Sequence, residues 1–362
     1  MPRDIVRDPE HDRSRSLGHL GVAWLEHFAI HGPGDVAGQP VTLDDELAGF
    51  FLDCYALEKS GRRLYNSVFL SRCKGRAKSE LAGFLVLFEA LGPCRFASWA
   101  EGGEFFSWRD FTYRYTRGEP MGHPITSPFV RCIATEELQS GHVYGVVFLN
   151  LTEGPLAEGL PSETAGITRT LLPGGGEIRP STAANASKDG GRESFAVFDE
   201  THLYTSAELR KMYATVRRNL TKRPAAEPWS LETSTMYLTG QESVAERSHE
   251  LAGQIREGRV RTTAFLFDHR YGPPDVDIRD PSLLRAALAE ALGDFAPFAD
   301  LDRRVAEFYD TRNQTAENRR FLLNVATSAD ESWATSEEWL ALAAPNVTVE
   351  EARERKGGAM FV

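Results

Sequence analysis

Short apolar runs alternate with stretches of helical periodicity through the first 270 residues, and this alternation restricts the chain more than any other feature. YNSVFLS (65–71), FVRCIAT (129–135), SFAVFDE (194–200), WSLETSTMY (229–237) and VRTTAFLFDH (260–269) each read as a buried strand. Runs this apolar suit strands covered on both faces. Between them, TLDDELAGFFLDCYALEKSGRRL (42–64) reads as a helix capped by Thr42 and ended by Gly61. KSELAGFLVLFEALG (78–92) and EELQSGHVYGVVFLNL (136–151) read as two more. Strand–helix alternation predicts an α/β fold, a mostly parallel sheet with helices on both faces. The Gly-, Ser- and Pro-rich sequence between 152 and 193 suggests short hairpin strands around 168–172 and 177–180. From about residue 280 the pattern is helical alone: DPSLLRAALAEALGDF, LDRRVAEFYD, AENRRFLLNV and SEEWLALAA. The expected division is 1–255 for the α/β domain, 256–345 for a helical lid or linker, and 346–362 for a tail.

Composition narrows the function classes. No apolar run approaches the roughly 20 residues that a membrane helix needs. The start, MPRDIVRDPEHDRSRSLGH, is too charged for a secretory signal, so a cytosolic protein is expected. A net charge of -11 argues against indiscriminate nucleic-acid binding and leaves only a local basic patch for it. LRKMYATVRRNLTKR (209–223) puts six Lys/Arg in fifteen residues and reads first as a solvated helix face. Cys54, Cys73, Cys94 and Cys132 contain no C-x-x-C pair, so reduced thiols without zinc are expected.

In open α/β sheets ligands bind beyond the carboxyl ends of the strands. The phosphate-loop pattern G-x-x-x-x-G-K-[ST] is half present after strand 65–71. Lys78 and Ser79 hold its last two places, while Arg72 and Ala77 stand where the glycines belong. Ser71, Arg72, Cys73, Lys74, Gly75, Arg76, Ala77, Lys78 and Ser79 thus form a candidate phosphate loop opening a helix. Lys78 would reach the β- and γ-phosphates, and the Ser79 hydroxyl would bind Mg²⁺. FAVFDETH ends a buried strand in Asp199, a second candidate metal ligand, and Glu200, a candidate base for the attacking water. TSTMY (233–237) places Thr235 where the loss of a γ-phosphate would be sensed. Each fragment also has a bland reading: a basic turn, an acidic turn, strand-end hydrogen bonding. Their order, each at a strand end, points to a nucleoside triphosphatase.

On these residues the chain resembles the ATPase portion of the tailed-phage terminase large subunit, the motor that packs DNA into the capsid. LSRCKGRAKSELAG is similar to that family's arginine-bearing Walker A, and CIATEELQSGHVY to its A-T-x-x-x-Q segment. FAVFDETHLY resembles its Walker B with the catalytic glutamate, and STMYLTGQESVAERS its coupling motif. NRRFLLNVATSADESWATSEEWLAL resembles the linker that runs toward a nuclease domain. The resemblance implies a P-loop NTPase fold of the RecA/ASCE kind, with ATP and Mg²⁺ as cofactors. Arg72, Lys78 and Glu200 would be catalytic, Arg72 contacting phosphate, and Thr235 would couple phosphate loss to lid movement. Double-stranded DNA, a portal protein and the terminase small subunit are the implied partners. The implied assembly is a homo-oligomeric ring on the procapsid portal in the host cytoplasm, monomeric in isolation, with no membrane. An arginine from a neighbouring copy would complete the site, with Arg169, Arg217 and Arg218 as candidates.

Two departures qualify the likeness. Ala77 implies weakened ATP affinity. RKGGAMFV resembles the first strand of the nuclease domain, so no nuclease activity is expected, the chain being shortened or its nuclease encoded separately. GQPVTLDDEL (38–47) stands where the family contacts adenine, without a clear glutamine partner. Two rivals stay open. DETH also satisfies the D-E-x-H box of superfamily-two helicases, although neither a second RecA-like half nor a Q-x-x-G-R-x-x-R motif is found. A non-hydrolysing DNA-binding or portal-docking module with a decayed nucleotide site is favoured by Ala77 and opposed by the Asp199–Glu200 pair. His202 reads as a packing or hydrogen-bonding residue. Trp99, Trp108, Trp229, Trp333 and Trp339 read as core or lid packing.

Overall fold

The apolar runs become the centre of one sheet. In the computed structural model, which describes residues 2–135, 137–182, 191–261 and 264–328, eight strands pair side by side. In chain order they are β1 (Arg3–Val6), β2 (Ser67–Ser71), β3 (Phe129–Ile133), β4 (Thr170–Leu172), β5 (Gly176–Ser181), β6 (Phe195–Asp199), β7 (Trp229–Ser234) and β8 (Phe265–Arg270). Their spatial order is β1-β8-β2-β7-β6-β3-β5-β4. The six inner strands run parallel, and antiparallel β1 and β4 close the two edges. β2, β6, β7 and β8 are buried at every position; β2 and β6 are almost wholly apolar, while β7 and β8 also bury polar and charged residues, among them Glu232 and Asp268. The fold is therefore α/β, a mostly parallel sheet with helices, and β7 lies between β2, which leads into the candidate loop, and the carboxylate strand β6.

Helices cover the sheet: α1 (Gly18–Phe28), α2 (Asp45–Cys54), α3 (Lys78–Leu91), α4 (Glu137–Thr152), α5 (Ala207–Asn219) and α6 (Val244–Arg256). α3 is apolar around most of its circumference because it lies between the sheet and its neighbours, among them α4. Gly83 permits that approach: a Cβ there would stand 2.7 Å from Val146 Cβ. The helix read over 42–64 is shorter than expected. Asp44, not Thr42, caps α2 by accepting from the Leu47 amide, and the helix stops at Cys54. Beyond it the chain leaves helical geometry for isolated bridges, Ala56 to Ser16 and Leu57 to Arg63. Residues 95–123, silent in the periodicity, hold two small antiparallel pairs, Arg95–Trp99 with Pro120–His123 and Phe105–Trp108 with Phe111–Arg114. Trp229 is fully buried and stacks on Phe195, while Trp99 and Trp108 pack against the same core.

After β8 come α7 (Pro281–Leu292), α8 (Leu301–Tyr309) and α9 (Thr315–Leu322). Leu284, Leu288, Leu292, Leu301, Phe308 and Leu323 make a second, smaller core there, and Cys73 joins it from the loop after β2. Residues through Thr327 form one compact unit. SEEWLALAA, Trp333, Trp339 and the tail lie outside the described residues. All four cysteines are buried free thiols. Among the described residues no helix is long and apolar enough to cross a membrane.

Candidate active site

The carboxyl ends of β2, β7 and β6 bring the three sequence segments together. The register pairs Leu70 with Thr233 and Thr233 with Asp199, so the loop, the hydroxyl segment and the carboxylates emerge at one level. Ser79, at the start of α3, donates to Asp199 Oδ2 at 2.8 Å, and Thr233 donates to Asp199 Oδ1. Lys78 Nζ lies 3.4 Å from the Cys73 carbonyl and 3.9 Å from Glu200 Oε1. His202 Nδ1 lies 3.1 Å from Glu200 Oε2, and also meets Ser234 Oγ at 3.2 Å and Thr235 Oγ1 at 3.3 Å. Thr235 therefore touches the carboxylate's supporting histidine rather than the loop.

Two residues of the candidate loop have left-handed backbone. Gly75 (φ 78°) and Ala77 (φ 51°) are both left-handed. Such residues recur where successive amides form an anion-binding nest. Glu200 is left-handed as well, at φ 55° and ψ 50°, the kind of local strain that gathers at functional sites.

Charge is arranged asymmetrically across the carboxylate pair. Burial and the neighbouring Glu200 charge push the Asp199 carboxyl above its ordinary range. Burial acts against the Glu200 carboxylate too, but the Lys78 ammonium and the His202 contact outweigh it and hold Glu200 at about 2. Ser79 and Asp199 offer two hard oxygen donors, a set that fits Mg²⁺, which keeps waters and substrate oxygens in its remaining places. Among the described residues no group of three or more His, Cys, Asp or Glu forms an all-protein metal cage.

The remaining candidates face elsewhere. The Arg72 side chain is fully buried beneath the loop, its Nε 2.6 Å from Glu46 Oε1 and its Nη2 donating to Asp268 Oδ2 at 3.0 Å. Arg76 donates to the Leu292 carbonyl at 2.8 Å and to Asp44 at 2.7 Å. The Lys74 amide donates to the Phe321 carbonyl at 2.7 Å. Asn324 donates to Ser71 Oγ at 3.0 Å. Of the arginines weighed for a neighbouring site, Arg169 is exposed just before β4 and Arg218 is exposed on α5. Arg217 instead donates to Ser67 and Ser230 at the amino ends of β2 and β7. The A-T-x-x-x-Q glutamine lies outside the described side chains.

Sequence reasoning passed over Thr233, Ser234, Glu46 and Asp268, and read His202 only as packing or hydrogen bonding. The hydroxyl-rich TSTMY run held a signal for the first two. Glu46 and Asp268 stand far from Arg72 in sequence and had none.

No protein-family model matches the chain. The "Gene 13 protein" of Mycobacterium phage L5 is 24% identical over 318 residues, covering 82% of this chain and 50% of its own length. The protein of the same name from Mycobacterium phage D29 matches with the same identity and coverage. The chain thus spans about half the length of the curated relatives it matches. Among solved structures, the large terminase of bacteriophage HK97 superposes with a TM-score of 0.59 at 19% identity, over 86% of this chain and 55% of that one. The likeness to phage large terminases first visible in the motifs is thus present in the backbone, and over the portion it spans this chain has their fold.

Proposed function

We propose that this chain is the ATP-hydrolysing module of a terminase-type motor that drives double-stranded DNA into a capsid. The observation that carries the reading is the convergence of Lys78, Ser79, Asp199 and Glu200, from two separate segments, at one end of the sheet. Lys78 and the loop amides hold the phosphates. Ser79 and Asp199 hold Mg²⁺, which when bound would neutralise charge on the phosphate oxygens. Glu200, kept ionised by Lys78 and aimed by His202, orients the attacking water. Arg72 braces the loop from beneath through Glu46 and Asp268; a phosphate contact would require it to leave both. Thr235 reports phosphate loss through His202, and the helices after β8 act as the lid. A ring of copies on a portal, with a small subunit, is the working assembly. Arg169, exposed beside the carboxyl half of β5, is the best-placed of the three arginines to enter a neighbour's site.

Calorimetric titration of ATP with Mg²⁺ into the chain and into Lys78→Ala tests the loop: binding abolished by the substitution is expected. Glu200→Gln should keep that binding and slow turnover by roughly two orders of magnitude or more. Unchanged turnover would remove Glu200 from the mechanism, and the absence of any ATP binding would favour the docking-module reading.

A further inference from the structure

The basic stretch 209–223 finds a use at the opposite end of the sheet. A cleft of about 290 Å³ opens at the amino ends of β2 and β7, where Asn66 leads into one strand and Glu227 and Pro228 lead into the other. Arg62, Arg63 and Arg217 line it, with Asn66 and Thr221, against Glu227 as its one lining carboxylate. That carboxylate only loosely offsets them: its Oε1 lies 3.9 Å from Arg62 Nε and accepts from the Arg63 amide at 3.4 Å. Arg217 donates to the hydroxyls of Ser67 and Ser230, and the buried Glu232 carboxyl acts on its charge from within the sheet. Arg63 is clamped over the Trp229 and Tyr55 rings and donates to the carbonyls of Cys54 and Tyr65. Its buried Nη1 has no hydrogen-bond partner among the described residues. Two held guanidinium groups and a third, exposed one converge on a space roomy enough for a phosphate together with the group esterified to it.

We infer that this cleft is a second phosphate-binding site, separate from the loop after β2, which takes the phosphodiester of a nucleic-acid strand or the phosphate of a free ester. Guanidinium forks suit phosphate oxygens better than any other common anion. The carboxyl-terminal part of the 209–223 stretch extends the positive surface around it, whereas Arg210, at the start of α5, is bound to Thr205 and faces Glu242. Arg218 is exposed, and Arg223 donates to the carbonyls of Thr126, Ser127 and Arg192 and lies over the Phe129 ring. A chain of net charge -11 can thereby still present one cationic face.

The test is titration of inorganic phosphate, and separately of a short DNA duplex, into the Lys78→Ala chain with and without Arg62→Glu and Arg217→Gln. Working in the Lys78→Ala chain keeps the loop after β2 from reporting. The double change should weaken phosphate binding roughly tenfold or more. Duplex binding that falls in parallel, with a shallower salt dependence, assigns the nucleic-acid source; duplex binding left unchanged assigns the free ester. Equal phosphate binding with and without the double change, or none in either, overturns the inference. Arg62→Glu alone repeats the test should Arg217→Gln lower stability, because the Arg62 side chain is 78% exposed and meets Glu227 only at 3.9 Å.

Discussion

Ala77 sits where phosphate loops carry glycine, and the structure shows why glycine belongs there: φ is 51° at the first step into α3. An L-residue in that region is strained by roughly 1–2 kcal/mol. Ala77→Gly should therefore relieve strain in the folded chain, offset in part by the greater freedom of glycine when unfolded. A net gain of up to about 1 kcal/mol is expected from denaturant midpoints at constant m-value. Tighter ATP binding should accompany it, since the loss of the Cβ lets backbone amides approach a phosphate more closely. A turn after the strand at 65–71 that opens a helix at Lys78 was legible in the sequence, and the fold has that turn between β2 and α3. Its arginine was not legible in the same way. Nothing local in the sequence indicates that Arg72 turns inward, since its partners stand at Glu46 and Asp268.

At the scale of elements, strands buried on both faces announced themselves as apolar runs, and β2, β6, β7 and β8 were found within a few residues of their ends. The pairs between Arg95 and His123 were not, because their half-exposed, four- or five-residue strands carry no clear alternation. The start of α2 was ambiguous for a different reason: Thr42 and Asp44 are both good caps two residues apart, and only the Leu47 amide chooses between them. The contact between the loop and the late helices belongs to this scale as well. Arg304, on α8, donates to the Lys74 carbonyl at 3.1 Å, beside the Lys74 amide's bond to Phe321. Arg304→Ala should loosen the loop without touching the sheet. Amides of residues 73–76 are expected to exchange roughly tenfold faster, with β2 and β6 unchanged, in hydrogen-exchange mass spectrometry. Equal exchange in both proteins would mean that the loop is held by its own turn and by Arg76 instead.

The whole molecule depends on buried charge, and this sets its response to acid. Burial opposes ionisation of Glu46, Glu89 and Asp268, yet Arg72 and Arg270 beside Glu46, Arg95 beside Glu89, and Arg72 and Arg3 beside Asp268 outweigh it and hold all three below their ordinary values of 4.5, 4.5 and 3.8. Folded pKa values below the unfolded ones give stability that is present above those ordinary values and lost as pH falls through and below them. Two histidines add a second, earlier window. Burial pushes His249 down to about 3, and His269 well below its ordinary value of 6.5. Both stay neutral in the fold while the unfolded chain takes up protons, so stability should begin to fall below pH 6.5. Denaturant titrations from pH 8 to pH 2 should show a decline that begins below pH 6.5 and steepens below about pH 4.5. His249→Phe, which keeps the ring among Phe69, Phe267 and Tyr237, should lessen the slope from pH 6.5 down to about pH 3, with His269 still contributing.

The bracing of the loop has a consequence for how the protein is made. Arg72 is neutralised by a residue 196 positions downstream, the Lys74 amide is satisfied by Phe321, and Ser71 is met by Asn324. A ribosome delivers the loop early and its supports last. Until synthesis has passed Asn324, the segment after β2 has its sequence but not all the contacts that shape it. Chains released early would then lack the folded loop, which is completed only when the helices after β8 are already in place.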